Sequence, residues 1–200
     1  MKQLFLGGAR SGKSRMAEQA AIDSGLEVIY FATAECFNQD GEMAKRIERH
    51  RQQRPSQWQV IEEPIQLAEQ LKNAAAENSC LLVDCLTLWL SNLLCKEDEA
   101  LFQSEKQQLL ALLEQDLPGH LILVSNEVGQ GIIPMGELSR RYVDESGWLH
   151  QAVAARADKV IFSLAGLPQV LKDTSTITCC PTCGHQPATK NQLNKQELTK

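Results

Sequence analysis

No apolar run in this chain approaches the roughly 18 to 20 residues that a membrane-spanning helix needs. The opening Met1-Lys2-Gln3-Leu4-Phe5-Leu6 meets Gly7 and Gly8 before the apolar core of a signal peptide forms, so the chain reads as cytoplasmic. Positive charge is also in short supply: 20 Lys and Arg stand against 25 Asp and Glu, a net charge of −5. That balance argues against a general nucleic-acid binder. Disulfides are a poor fit, because the seven cysteines are odd in number and Cys36, Cys80, Cys85 and Cys95 are scattered through segments that look like core or site edge. Reduced thiols are the expectation. No internal repeat is present.

What is present is 200 residues at 43% hydrophobic content, enough for one domain with a sizeable core. Short apolar β-like runs alternate with helix-like runs, the mark of an α/β fold in which a mostly parallel sheet carries helices on both faces. The strands are expected at 3–6, 26–32, 58–62, 80–84, 120–125 and 159–164. Helices are expected at 13–24 closed by Gly25, at 42–54 stopped by Pro55, and at 64–77 with Pro64 at its first position. Further helices are expected at 86–94, 97–115 and 137–157. Three glycines and a proline in the stretch from Glu127 through Gly136 preclude regular structure there and suggest a mobile loop. Residues 1–172 form the expected domain, and 173–200 a polar, cysteine-containing tail.

Gly7-Gly8-Ala9-Arg10-Ser11-Gly12-Lys13-Ser14 matches the phosphate-binding pattern G-x-x-x-x-G-K-[ST], after an apolar strand and at the start of a helix. The glycines permit a tight loop whose N–H groups point at phosphate oxygens, and the helix N-terminus adds its positive end. Lys13 would reach the β and γ phosphates, and Ser14 would give its hydroxyl to Mg²⁺. In an open parallel sheet the ligand lies beyond the carboxyl ends of the strands. The other strands deliver Ala32 and Thr33, Glu62, Asp84, and Asn126 with Glu127 to that edge. Asp84 is the natural Mg²⁺ partner of Ser14 in such proteins, with a helix N-cap as the alternative reading. Glu62 and Glu127 read equally well as solvated loop carboxylates.

The segment from Glu42 to Arg54 carries Lys45, Arg46, Arg49, Arg51 and Arg54 against Glu42 and Glu48. On a helix, Arg46, His50 and Arg54 share one face at i, i+4 and i+8. A surface histidine gains no protonation from such neighbours. A nucleophilic one gains, since neutral imidazole can attack phosphorus while guanidinium groups hold the phosphate oxygens. A solvated basic helix face is the alternative.

Taken with Tyr30-Phe31-Ala32-Thr33-Ala34, Arg46 to Arg51 with Arg54-Pro55, Ser125 to Gly129 and Gly131 to Pro134, and Gly147 to Asp158, these motifs make the chain resemble a known family over residues 1 to about 172. It is the bifunctional adenosylcobinamide kinase and adenosylcobinamide-phosphate guanylyltransferase family of cobalamin biosynthesis. The resemblance implies phosphorylation of adenosylcobinamide by ATP or GTP, then transfer of GMP from GTP through a guanylyl-histidine, matched here by His50. It also implies nucleotide contacts from residues 7–14, Ala32, Thr33, Arg51, Gln52, Gln53, Arg54, Glu62 and Asp84, and a homotrimer. Position 84 is Asp where some members carry Glu, which keeps the carboxylate and shortens its reach. The tail has no counterpart; its Cys180-x-x-Cys183 with His185 resembles part of a zinc site. Three other readings compete: a small-molecule kinase without guanylyl transfer, a RecA-like switch or motor acting on nucleic acid or a partner, and an interaction or metal-sensing role for the cysteine tail.

Overall fold

The structure is a computed structural model, and it describes residues 1–34, 55–133 and 135–174. Its centre is a seven-stranded sheet: β1 (Lys2–Gly7), β2 (Glu27–Ala32), β3 (Gln59–Glu62), β4 (Ser79–Asp84), β5 (His120–Asn126), β6 (Lys159–Leu164) and β7 (Leu167–Asp173). Their order is β3-β2-β4-β5-β1-β6-β7. All neighbours run parallel except the terminal β6–β7 pair, which is antiparallel. The described helices are α1 (Lys13–Asp23), α2 (Leu67–Ala74), α3 (Leu86–Cys95), α4 (Glu99–Glu114) and α5 (Glu137–Arg156). None of them is long and apolar enough to cross a membrane.

The central strands are apolar at successive positions because both faces of the sheet are covered. Alternation then sends Leu4, Leu6, Leu81, Val83, Leu121 and Leu123 to one face, where Leu67, Leu71, Leu86, Trp89, Leu90, Leu109 and Leu149 meet them. The opposite set, Phe5, Val28, Tyr30, Leu82, Ile122 and Val124, packs with Ala17 and Ala21 of α1. Each fully buried Leu or Phe contributes about 1.5–3 kcal/mol relative to exposure. Alanines on the inner face of α1 let that helix lie close to the strands, which fixes where its N-terminus points.

Helix ends differ from the expected ones for local reasons. The 64–77 helix is shorter, Leu67–Ala74. The Glu63 carboxylate accepts the N–H groups of Ile65 (2.8 Å) and Gln66 (2.7 Å), and this turn holds Pro64 outside the helix. The 97–115 helix begins at Glu99 because Asp98 caps it, accepting from Leu101 N at 3.0 Å, while Glu97 takes a left-handed φ of 54°. Gly25 closes α1 as expected, with φ 68° and its N–H on Ile22 O. Strand β7 was not expected; it extends the sheet through a two-residue turn, Ala165-Gly166, with both φ values positive (52° and 79°). The expected helix at 42–54 lies outside the described residues.

Candidate active site

The carboxyl ends of the parallel strands bring Glu62, Ala32, Asp84, Asn126 and Gly7 to one edge, in that spatial order. The loop from Gly7 to Gly12 leaves β1 at this edge and turns directly into α1, whose first residue is Lys13. Gly7 must be glycine: a Cβ there would stand 2.5 Å from both Ser163 O and Ser11 Oγ. Neighbouring backbone fixes the loop from several sides. Glu127 N–H donates to Gly7 O (3.0 Å), Gly166 N–H to Ser11 O (2.9 Å), and Ser163 Oγ–H also to Ser11 O (2.7 Å). The unexpected β6–β7 turn is thus a wall of the phosphate loop. The Ser11 hydroxyl is tucked beneath the loop and buried.

A cavity of about 550 Å³ lies over the loop, lined by Arg10, Gly12, Lys13, Ser14, Arg15 and Gly166. Lys13 is only 8% exposed and its Nζ donates to Gly8 O at 3.1 Å. Burial lowers its proton affinity, and the nearby Asp84 carboxylate works against that. Arginines, a buried ammonium and a helix N-terminus make a site for a polyanion.

Asp84 is half-buried at the end of β4, with β5 between its strand and β1. The alternative reading as a helix cap fails, because the N-cap of α3 is Cys85 and no side chain caps that helix. The Cys85 thiol is buried and pushed up to about 11 by burial and by Asp84, so it is inert at neutral pH. Thr33, expected as a nucleotide contact, has a structural partner in the fold. Its side chain is fully buried and spent on Cys85, donating to the carbonyl (2.7 Å) and accepting from the N–H (3.0 Å). Thr33 therefore locks the end of β4 beside β2. Ala32 and Glu62 pair in register at the ends of β2 and β3, with Glu62 exposed. At about 4.8 Å per strand, Glu62 stands roughly 19 Å across the sheet from the phosphate-loop strand.

Next to the phosphate loop, the Glu127 carboxylate accepts Gly129 N–H at 2.7 Å and lies 3.6 Å from the Nδ1 of buried His150. A second cavity, about 430 Å³, adjoins it and is lined mainly by Leu94, Val128, Ile132, Leu138, Tyr142 and Val143. His50, Arg51, Gln52, Gln53 and Arg54 lie outside the described residues, as do Cys180, Cys183 and His185. The end of β2, Ala32, lies at the same edge as Asp84, its register partner on β4. Among the described residues no cluster of three or more His, Cys, Asp or Glu could hold a metal. Sequence reasoning missed Ser163, the Ala165-Gly166 turn and His150. The turn had a signal, a small residue and glycine between two apolar runs; His150 had none.

The family profile of cobinamide kinase / cobinamide phosphate guanyltransferase matches residues 3–171. The bifunctional adenosylcobalamin biosynthesis protein CobP of Pseudomonas aeruginosa is 57% identical over 172 residues, 86% of this chain and 98% of its own length. The corresponding CobU protein of Escherichia coli is 38% identical over 184 residues, covering 86% of this chain and all of its own. Among solved structures, an ATPase of a type III secretion system superposes with a TM-score of 0.51 at 13% identity, over 80% of this chain and 50% of that one, a likeness of fold alone. With a phosphate loop, an acidic strand end and a match along nearly the whole described length, this chain belongs to the cobinamide kinase / cobinamide phosphate guanyltransferase family.

Proposed function

We propose that the protein phosphorylates the hydroxyl of adenosylcobinamide with ATP or GTP and then transfers GMP from GTP to the new phosphate, giving adenosylcobinamide-GDP and pyrophosphate. The observation that carries this reading is the family match over residues 3–171, which spans both the phosphate loop and the His50 segment.

In the first step the substrate oxygen attacks the γ-phosphorus, the bond to the β-phosphate oxygen breaks, and the hydroxyl proton goes to Glu127. Main-chain N–H groups of residues 8–14 and the Lys13 ammonium hold the phosphates, so most of the acceleration comes from positioning and charge neutralisation. Lys13 exchanges its present bond to Gly8 O for phosphate oxygens. Ser14 and Asp84 supply the hydroxyl and carboxylate oxygens that suit Mg²⁺, which when bound neutralises charge on the transferring phosphate. The apolar cavity beside Glu127 suits the bulky acceptor.

In the second step an imidazole nitrogen of His50 attacks the α-phosphorus of GTP and pyrophosphate leaves. The phosphate made in the first step then displaces His50, and Arg46 and Arg54 hold the phosphate oxygens. Glu62, well removed from the phosphate loop, suits guanine, whose N1–H and N2–H groups a carboxylate accepts. We also place the protein in the cytoplasm, as a homotrimer. Incubating the protein with adenosylcobinamide, Mg²⁺ and ATP, then adding GTP, tests the reading. The expected products by mass are the phosphate and then the GDP derivative. A phosphate that never advances would reduce the protein to a kinase, and no phosphate at all would overturn the proposal.

A further inference from the structure

His150 is buried on α5 and stands between a strand-end serine and the proposed base. Its Nε2 is 2.8 Å from Ser125 Oγ, and its Nδ1 faces Glu127 Oε2 at 3.6 Å with no closer partner. The network continues away from the site. Ser125 Oγ is 3.4 Å from Thr87 Oγ1, which accepts Asn126 N–H at 2.7 Å.

One proton arrangement satisfies all of these contacts. Because Thr87 Oγ1 already accepts from Asn126, its own proton is available to Ser125 Oγ. In that arrangement Ser125 gives its proton to Nε2, which makes Nε2 the acceptor and leaves the ring proton on Nδ1. The carboxylate opposite Nδ1 demands the same arrangement, since two lone-pair faces would repel. Burial holds the imidazole below its ordinary proton affinity, so it is neutral at pH 7, and Glu127 is the one charged group that opposes this. From β5 it meets the Ser125 hydroxyl, and Thr87 of α3 lies one contact further on.

We infer that His150 is a positioning residue for phosphoryl transfer: its Nδ1–H, set by Ser125, orients the Glu127 carboxylate so that Oε1 and Oε2 are fixed as the substrate hydroxyl arrives. An approach of about 0.6 Å brings Nδ1 and Oε2 to ordinary hydrogen-bond length. Glu127 is at the same time tied to the phosphate loop through its N–H on Gly7 O. The imidazole therefore couples α5 to the position of the base. This rests on Glu127 accepting the proton in the kinase step.

The test combines a spectrum with kinetics. Long-range ¹H–¹⁵N correlation of the full-length protein at pH 7, with the His150 signal assigned by its loss in His150→Asn, should show the Nδ1–H tautomer; the Nε2–H tautomer would overturn the inference. His150→Ala should lower kinase kcat by about 30-fold, part of the about 10²- to 10⁴-fold that a general base contributes, with the KM for ATP unchanged. His150→Asn keeps an N–H donor at the Nδ1 position and should recover activity to within about threefold of wild type. Labelling of the protein by GTP should persist in both variants. Equal losses in Ala and Asn, or none, would overturn the inference. Glu127→Gln separates the two claims: full kinase activity there sinks the base itself, whereas a dead Glu127→Gln beside a fully active His150→Ala sinks only the role of His150.

Discussion

The loop after β1 and the loop after β5 leave the same edge of the same sheet and are built in opposite ways. Residues 7–13 are held by the N–H groups of Glu127 and Gly166, by the Ser163 hydroxyl and by Lys13, and the ammonium is itself buried. The 127–136 loop is anchored at its start by Glu127 and then presents apolar side chains outward, Ile132 at 101% and Met135 at 91% exposure. A phosphate has one shape and one charge, so its receptor can be made in advance. The apolar side chains of the second loop stand free in solvent and can rearrange around a bulky ligand. The difference is between a loop held in place by its own contacts and one whose apolar side chains have none to hold them.

Removing the ammonium breaks the first half of that comparison most severely. Lys13→Ala should lower phosphoryl transfer by about 10²- to 10³-fold, measured as initial rates, with GMP transfer falling as well. Gly7→Ala should cost about 1–3 kcal/mol of stability by urea unfolding and weaken nucleotide binding, because its Cβ meets Ser163 O at 2.5 Å. A nucleotide affinity equal to wild type would show that the cradle is looser than its contacts imply. Ser163→Ala removes one of the two donors to Ser11 O and should cost about 0.5–1.5 kcal/mol.

Smaller effects sharpen the other half. Ile132→Ser should leave stability within about 0.5 kcal/mol and raise the KM for adenosylcobinamide without changing that for ATP. A parallel rise in both would mean that the loop serves the nucleotide. Acidity gives a further contrast, since burial holds both His150 and His120 below the ordinary 6.5. The unfolded chain then binds more protons than the folded one as pH falls through that value. Their contribution to stability is complete above it and is lost as pH drops towards the folded values. The melting temperature should fall from pH 7 to pH 5, less steeply in His150→Asn, and an unchanged slope would remove His150 from the explanation.

The phosphate loop was legible because its constraints are local: glycines, a lysine and a serine at fixed spacing between an apolar strand and a helix. Asp84 was legible for a similar reason, as the polar residue ending Leu81-Leu82-Val83. Strand β7 was not, since an edge strand with one neighbour exposes Leu167, Val170 and Leu171 and tolerates Pro168. The partner of the Thr33 hydroxyl, the Cys85 main chain, was not legible because sequence places a residue at a strand end without saying which way its hydroxyl turns. Nothing in the sequence joins His150 to Ser125, 25 residues away, until α5 lies against the sheet. The start of α2 was lost to a side chain, Glu63, that captured two N–H groups before the helix could.

Intact-protein mass spectrometry after incubation with GTP and Mg²⁺, comparing wild type with His50→Ala, tests the two-step account most directly. The account predicts a mass gain of one GMP in the wild type and none in His50→Ala. No gain in a wild-type protein that still consumes nucleotide with adenosylcobinamide would contradict it, leaving a kinase on the same phosphate loop without the transfer step.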